Sequence, residues 1–111
     1  MILALKLLFG AICAAMLTVT VRTSMEVSLW AAWPGYAANP WAIATLWDAY
    51  CGFLVFYVWV LYKERALGAR ILWFFLIMSL GNIATALYIL IQLSRLKPGQ
   101  DLESLLLRRP A

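Results

Sequence analysis

The sequence predicts an all-α membrane protein with three transmembrane helices, an amphipathic interfacial loop and a short C-terminal helix. Three observations predict it. Of 111 residues, 66% are hydrophobic and 13% charged, against roughly 45–50% and about 25% in soluble proteins, and the mean hydropathy is +0.88. The apolar residues fall into long runs near residues 2–21, 41–62 and 71–93, each able to cover a hydrocarbon core of about 30 Å. Aromatic and basic residues gather at the borders of these runs, as they do at membrane interfaces. The chain, residues 1–111, is too short for more than one domain. It is also too short to bury this much apolar surface in itself, and lipid covers what the protein cannot.

The first run is interrupted only by Lys6. The cleavage signal around Ala11 and Ala15 is weak, and Ile12 stands where a lipid-attachment motif ending at Cys13 wants a small residue, so the run is expected to stay as an anchor. Gly10, Ala11, Ala14 and Ala15 share one side at helical spacing, a small-residue seam where another helix could approach closely. The loop at 22–40 is rich in aromatics: Trp30, Trp33 and Tyr36, with Trp41 just after it, suit headgroup depth. Residues 24–30 could form a turn or two of amphipathic helix, and Trp33-Pro34-Gly35-Tyr36 is turn chemistry. The loop is expected to lie flat on the membrane or to fold back over the helix ends.

Asn39-Pro40 opens the second span, and the short charged link 63–70 makes the second and third spans antiparallel neighbours. Trp59, Tyr62 and Trp73 form an aromatic belt at that border. In the tail, 94–111, Asp101 and Glu103 open a short helix that Arg108 and Arg109 close, matching the helix dipole at both ends. Leu102, Leu105 and Leu106 give it an apolar stripe, for the interface or for a partner. With three spans, Lys6, Lys63, Arg65 and Arg70 fall on one side, and Arg22, Arg95, Lys97, Arg108 and Arg109 on the other. The counts nearly tie, so the excess of basic residues on the inner side gives no orientation. The Trp-rich loop has the look of an outer-face element, which would make the 63–70 link cytoplasmic.

One acid sits inside an apolar span. Asp48 lies about 10 Å past Trp41 along the helix axis, where insertion costs about 2.5–3.5 kcal/mol. Antiparallel pairing of the last two spans places it opposite Asn82 and Thr85, with Tyr50 or Tyr88 within reach. Ser79, Asn82 and Thr85, with Gln92 less closely in phase, form the polar face; Gly52 and Gly81 would permit close approach. The expected site is thus Asp48, Asn82, Thr85 and Tyr50, and the expected packing positions are Gly10, Ala14, Gly52 and Gly81. Three roles are open to such an acid: a protonated carboxyl donating to Asn82, a site for a proton, a cation or a polar headgroup, and a contact with a second protein.

No metal or cofactor is expected. The chain has no histidine, the commonest general base and metal ligand. Cys13 and Cys51 lie in apolar runs and read as small hydrophobes. Glu64 lies about 24 Å from Asp48 along a helix, so the two cannot act as a carboxylate pair; flanked by Lys63 and Arg65, it reads as a solvated turn charge. The nine basic residues form no continuous stripe, which leaves nucleic-acid binding without support.

Several spaced blocks carry a resemblance. They are Ala44-Thr-Leu-Trp-Asp48-Ala-Tyr50, Val58-Trp-Val-Leu-Tyr-Lys-Glu64, Ile71-Leu-Trp73, Leu80-Gly-Asn-Ile-Ala-Thr85-Ala-Leu-Tyr-Ile89 and Gln92-Leu93. Together they resemble an uncharacterised family of small integral membrane proteins of plants and bacteria, known by a domain-of-unknown-function label. The likeness covers about half the chain, residues 41–93, and not the first span or the tail. Asp48, Tyr50, Tyr62, Lys63, Glu64, Gly81 and Thr85 fit the pattern; Asn82 departs from the small hydroxyl residue of the plant forms. The resemblance supports the hairpin of the last two spans and implies no activity; the location expected is a bacterial inner membrane. The function expected is that of a non-catalytic accessory or structural subunit, in contact with membrane lipids and docked on other membrane subunits. The alternative is a homo-oligomeric channel or transporter with Asp48 lining a proton or ion pathway.

Overall fold

In the computed structural model residues 1–108 are described, and they are predominantly helical, with no strand among them. The elements are α1 (Ile2–Glu26), α2 (Leu29–Ala37), α3 (Pro40–Lys63), α4 (Leu67–Leu80), α5 (Asn82–Ser94) and α6 (Leu102–Leu106). The all-α class agrees with the sequence. Two helices, α1 and α3, are long and apolar enough to cross a membrane; α4 and α5 are shorter. The described helices thus show two candidate crossings and not a third. The run at 71–93, expected as one rod, is divided at Gly81.

Local chemistry explains the helix starts. Asn39 Oδ1 accepts from the backbone N–H of Trp41 (3.0 Å) and Ala42 (3.3 Å), and Pro40 takes the first helical position of α3, where its missing N–H is no loss. Ser28 Oγ caps α2 through Ala31 N–H at 3.1 Å, and Asp101 Oδ1 caps α6 through Glu103 and Ser104. The loop at 22–40 is mostly helix: α1 continues through Arg22 to Glu26, and α2 contains Pro34 and Gly35 rather than turning there. Tyr36 donates to the Ala42 carbonyl at 2.9 Å, and Leu29, Trp30 and Trp33 gather beside Leu46 and Tyr50, so α2 folds back along the first turns of α3.

The division at Gly81 reverses the chain. Gly81 has φ 59° and ψ −125°, a backbone state that residues with a Cβ avoid. The side-chain contacts give the directions. Tyr50 donates to the Met78 carbonyl (2.8 Å) and Tyr57 to the Arg70 carbonyl (2.7 Å), so α4 runs antiparallel to α3. Along α5 the order is opposite: Asp48 and Gly52 sit beside Asn82 and Thr85, Phe56 and Trp59 meet Tyr88, and Glu64 meets Gln92. Helix α5 therefore runs back, parallel to α3, and ends where α4 began. On its other side α5 packs on α1, antiparallel, with Phe9 near Thr85 and Ile89, and Ile2 and Lys6 near Leu93 and Leu96.

At the reversal the backbone groups find partners. Gly81 N–H donates to the Ile77 carbonyl and Thr85 N–H to the Gly81 carbonyl, while the Met78 carbonyl takes the Tyr50 hydroxyl. The core lies between α3, α4 and α5: Val60, Ile77, Ala84 and Tyr88, ringed by Phe53, Phe56, Tyr57, Trp59, Trp73 and Leu76. By contrast no residue of α1 is buried. The tail helix α6 docks on its own chain. Trp59 Nε1 donates to the Leu106 carbonyl (2.9 Å), Lys63 Nζ to the Leu107 carbonyl (2.8 Å), and Leu105 is buried. Arg108 donates from Nε to the Tyr62 carbonyl and lies over the Tyr62 ring. Arg109, expected to close this helix, lies outside the described residues.

Candidate functional site

Asp48 stands on α3, two turns in from Pro40, and α5 starts beside it because the chain reverses at Gly81. Asp48, Gly52, Asn82 and Thr85 line one cleft of about 460 Å³, walled by Phe9 of α1 and by Phe53, Phe56 and Ile89. The sequence-predicted neighbours are thus brought together, through a different register. An antiparallel rod was to set Asp48 opposite Asn82; instead the first turn of a parallel helix reaches it.

The bonding within the cleft also differs from expectation. Thr85 Oγ1 donates to the Asn82 carbonyl at 3.1 Å and lies 3.5 Å from its Oδ1. Asp48 has no hydrogen-bond or ion-pair partner among the described residues, and it is exposed. The start of α5 has no side-chain cap, so its unpaired N–H groups and positive dipole end open on the same cleft as the carboxylate. The arrangement is an acid inside an apolar helix, facing a helix N-terminus, two neutral polar side chains and open space.

The other predicted positions divide. Tyr50 turns away from the cleft and holds the Met78 carbonyl at the reversal. Gly81 is needed for its positive φ, and a Cβ there would stand 2.8 Å from Phe53 Cζ. At Gly52 and Gly10 a Cβ would meet nothing within 4 Å, so neither position is a close helix approach within the chain. Helix α1 turns Leu5, Phe9, Cys13 and Met16 inward, leaving Ala11, Ala14 and Ala15 exposed. The small-residue seam is not the face α1 uses against α5. No three His, Cys, Asp or Glu side chains among the described residues come together to hold a metal ion.

Among protein families, residues 1–110 match the one described as Protein of unknown function (DUF1475). The chain belongs to that family. The match runs beyond the expected half of the chain to take in α1 and the tail. No curated protein and no solved structure matches it.

A second polar cluster of this DUF1475 member lies at the Lys63 end of α3, and the sequence reading missed it. Glu64 is not a solvated turn charge. Its Oε1 accepts from the Tyr88 hydroxyl at 2.9 Å and lies 3.5 Å from Gln92 Nε2, while its carbonyl accepts from Arg70 Nε at 2.9 Å. Tyr88 is fully buried, and Phe56, Trp59 and Trp73 meet its ring edge-on at centroid distances of 6.0, 5.5 and 4.9 Å. A buried hydroxyl needs a partner, and Glu64 supplies it. Gln92, less closely in phase with the polar face of Asn82 and Thr85, was the one signal: it faces Glu64, not Asp48. Bonded from Glu64 to both Tyr88 and Gln92, this cluster is a structural lock between the end of α3 and α5.

Proposed function

We propose that this protein is a small non-catalytic integral membrane protein, an accessory subunit that grips a partner's membrane-embedded segment through the Asp48 cleft. The observation that carries the reading is the unpartnered, open carboxylate of Asp48 in the middle of an apolar helix. Acyl chains cannot solvate such a group, and no donor among the described residues is bonded to it. A donor from a neighbouring membrane helix completes it. The exposed apolar surface of α1, including Leu3, Leu7, Leu17 and Val19, supports a bilayer as the solvent.

Two crossing helices and a re-entrant pair, α4–α5, fit this reading. Backbone that breaks at bilayer depth is tolerated where protein covers it, and the Tyr50 bond to Met78 does so here. The return of α5 also removes the tie in basic residues. Lys6, Lys63, Arg65, Arg70, Arg95, Lys97 and Arg108 come to one end, and Arg22 stands alone among the described residues at the other. That bias supports the start of α1, the 64–66 turn and α6 facing the cytoplasm, with α2 on the outer face of a bacterial inner membrane.

The test is gentle purification of tagged wild type, Asp48→Asn and Asp48→Leu from native membranes. The reading expects discrete foreign subunits with wild type and their loss with Asp48→Leu, while the helical signal is unchanged. Retention of the same subunits by both variants overturns it. A second reading has one observation in its favour: the cleft has room for several waters, at about 30 Å³ each. A ring of identical copies carrying proton flux that Asp48→Asn abolishes would support a homo-oligomeric pathway instead.

A further inference from the structure

Beyond α5 the chain turns sharply. Gly99 adopts φ 88°, and Gln100 Oε1 accepts the Lys97 N–H at 2.7 Å, which lets α6 double back onto the end of α3. This leaves a cavity of about 560 Å³ between the end of α5 and α6, bordered by Arg95, Lys97, Gln100, Ser104, Leu107 and Arg108. Three cations converge on it. The side chains of Arg95 and Lys97 make no hydrogen bond or ion pair among the described residues, and Arg108, tied at Nε to Tyr62, keeps its terminal nitrogens. Ser104 adds a hydroxyl, and Gln100, its oxygen already used, adds an amide donor. No carboxylate among the described residues lines the cavity; the nearby Asp101 spends Oδ1 on the start of α6.

Cations joined by neutral donors form the recognition set of a phosphate group. A second hollow, on the far side of Lys97 and Gln100, extends the positive border to Lys6 and leads onto Ile2 and Leu93, at the apolar seam of α1 and α5. The geometry points to a binding site for the headgroup phosphate of an anionic phospholipid, with the acyl chains lying along α1 and α5. The inference rests on the membrane reading, because that reading puts the cavity at headgroup level on the side richer in anionic lipid.

The test uses the full chain in mild detergent, titrated with dioctanoyl phosphatidylglycerol, dioctanoyl phosphatidylcholine and inorganic phosphate, with bound species counted by native mass spectrometry. Phosphatidylglycerol is expected to bind on the order of tenfold tighter than phosphatidylcholine. The double variant Arg95→Gln/Lys97→Gln, which breaks no side-chain hydrogen bond or ion pair among the described residues, is expected to erase that preference; Arg22→Gln, at the other end, keeps it. Equal binding of the two lipids, or an unchanged preference in the double variant, overturns the site. Displacement of phosphatidylglycerol by an equal concentration of inorganic phosphate overturns the lipid as its source. Release of the chain from native membranes by an alkaline carbonate wash would overturn the membrane reading instead, a separate readout from lipid preference.

Discussion

Replacing Gly81 by alanine tests the reversal of the chain, because two architectures require effects of opposite sign. If residues 71–93 were one continuous helix, removing a mid-helix glycine would stabilise the protein by about 0.8–1 kcal/mol. In the fold described, Gly81 has φ 59°, a state that costs a residue with a Cβ about 1–3 kcal/mol. The new methyl would also stand 2.8 Å from Phe53 Cζ and 3.2 Å from Phe53 Cε2. The Phe53 ring is itself fixed edge-on to Tyr50 at 5.3 Å, so it yields at an overpacking cost of about 1–3 kcal/mol. The two terms add to a loss of roughly 2–6 kcal/mol, a large part of a typical stability of about 5–15 kcal/mol. Equilibrium unfolding in mixed micelles, followed by tryptophan fluorescence and circular dichroism, measures it. Adding Phe53→Leu, which withdraws the ring, should recover the steric part and leave the backbone part. An alanine variant as stable as wild type, or more stable, would refute the reversal.

Tyr88→Phe keeps the ring among Phe56, Trp59 and Trp73 but removes the donor to Glu64; the loss should be about 1.5–3 kcal/mol, as for hydrogen bonds to charged groups, read in the same unfolding assay. Trp59→Phe removes the N–H that holds the Leu106 carbonyl, and should cost about 1 kcal/mol and speed proteolysis of the tail without altering the rest of the digest. Asn39→Ala removes the cap of α3 and should lower stability by about 0.5–2 kcal/mol. In a variant lacking Cys13 and Cys51, single cysteines placed at Arg65 and at Gln100 should react with an impermeant maleimide from the same side of sealed vesicles, and one at Gly35 from the opposite side. Labelling of positions 65 and 100 from opposite sides would restore a third crossing.

Two helix starts were legible from local chemistry. Asn39-Pro40 and Asp101 mark the starts of α3 and α6 because capping is read within three residues of the chain. Asp48 could also be placed near Asn82 and Thr85, since polar groups inside apolar runs have few neighbours to choose from. Direction was not legible. An apolar run at 71–93 is as long as a span whether it continues or turns back, and a lone glycine inside it reads as a packing position. Only the Cβ-free backbone at Gly81, seen with Phe53 against it, reveals the turn. Glu64 was misread for a related reason. Its sequence neighbours are Lys63 and Arg65, whereas the hydroxyl that binds it belongs to Tyr88, 24 positions away. The tail was read as seeking an outside surface, yet the indole N–H of Trp59 and the ammonium of Lys63 were the groups waiting for it.

The turn at Gly81 bears on how such a chain is made. In the proposed orientation only the short stretch around α2 has to be hauled through the bilayer during synthesis, with Arg22 and Glu26 as its charged freight. From Glu64 through α6 the chain dips in and comes out on the ribosome's side, so α4, α5 and α6 enter without any translocation step, and a reporter joined to the Met1 end or inserted after α6 would stay in the compartment where it was translated.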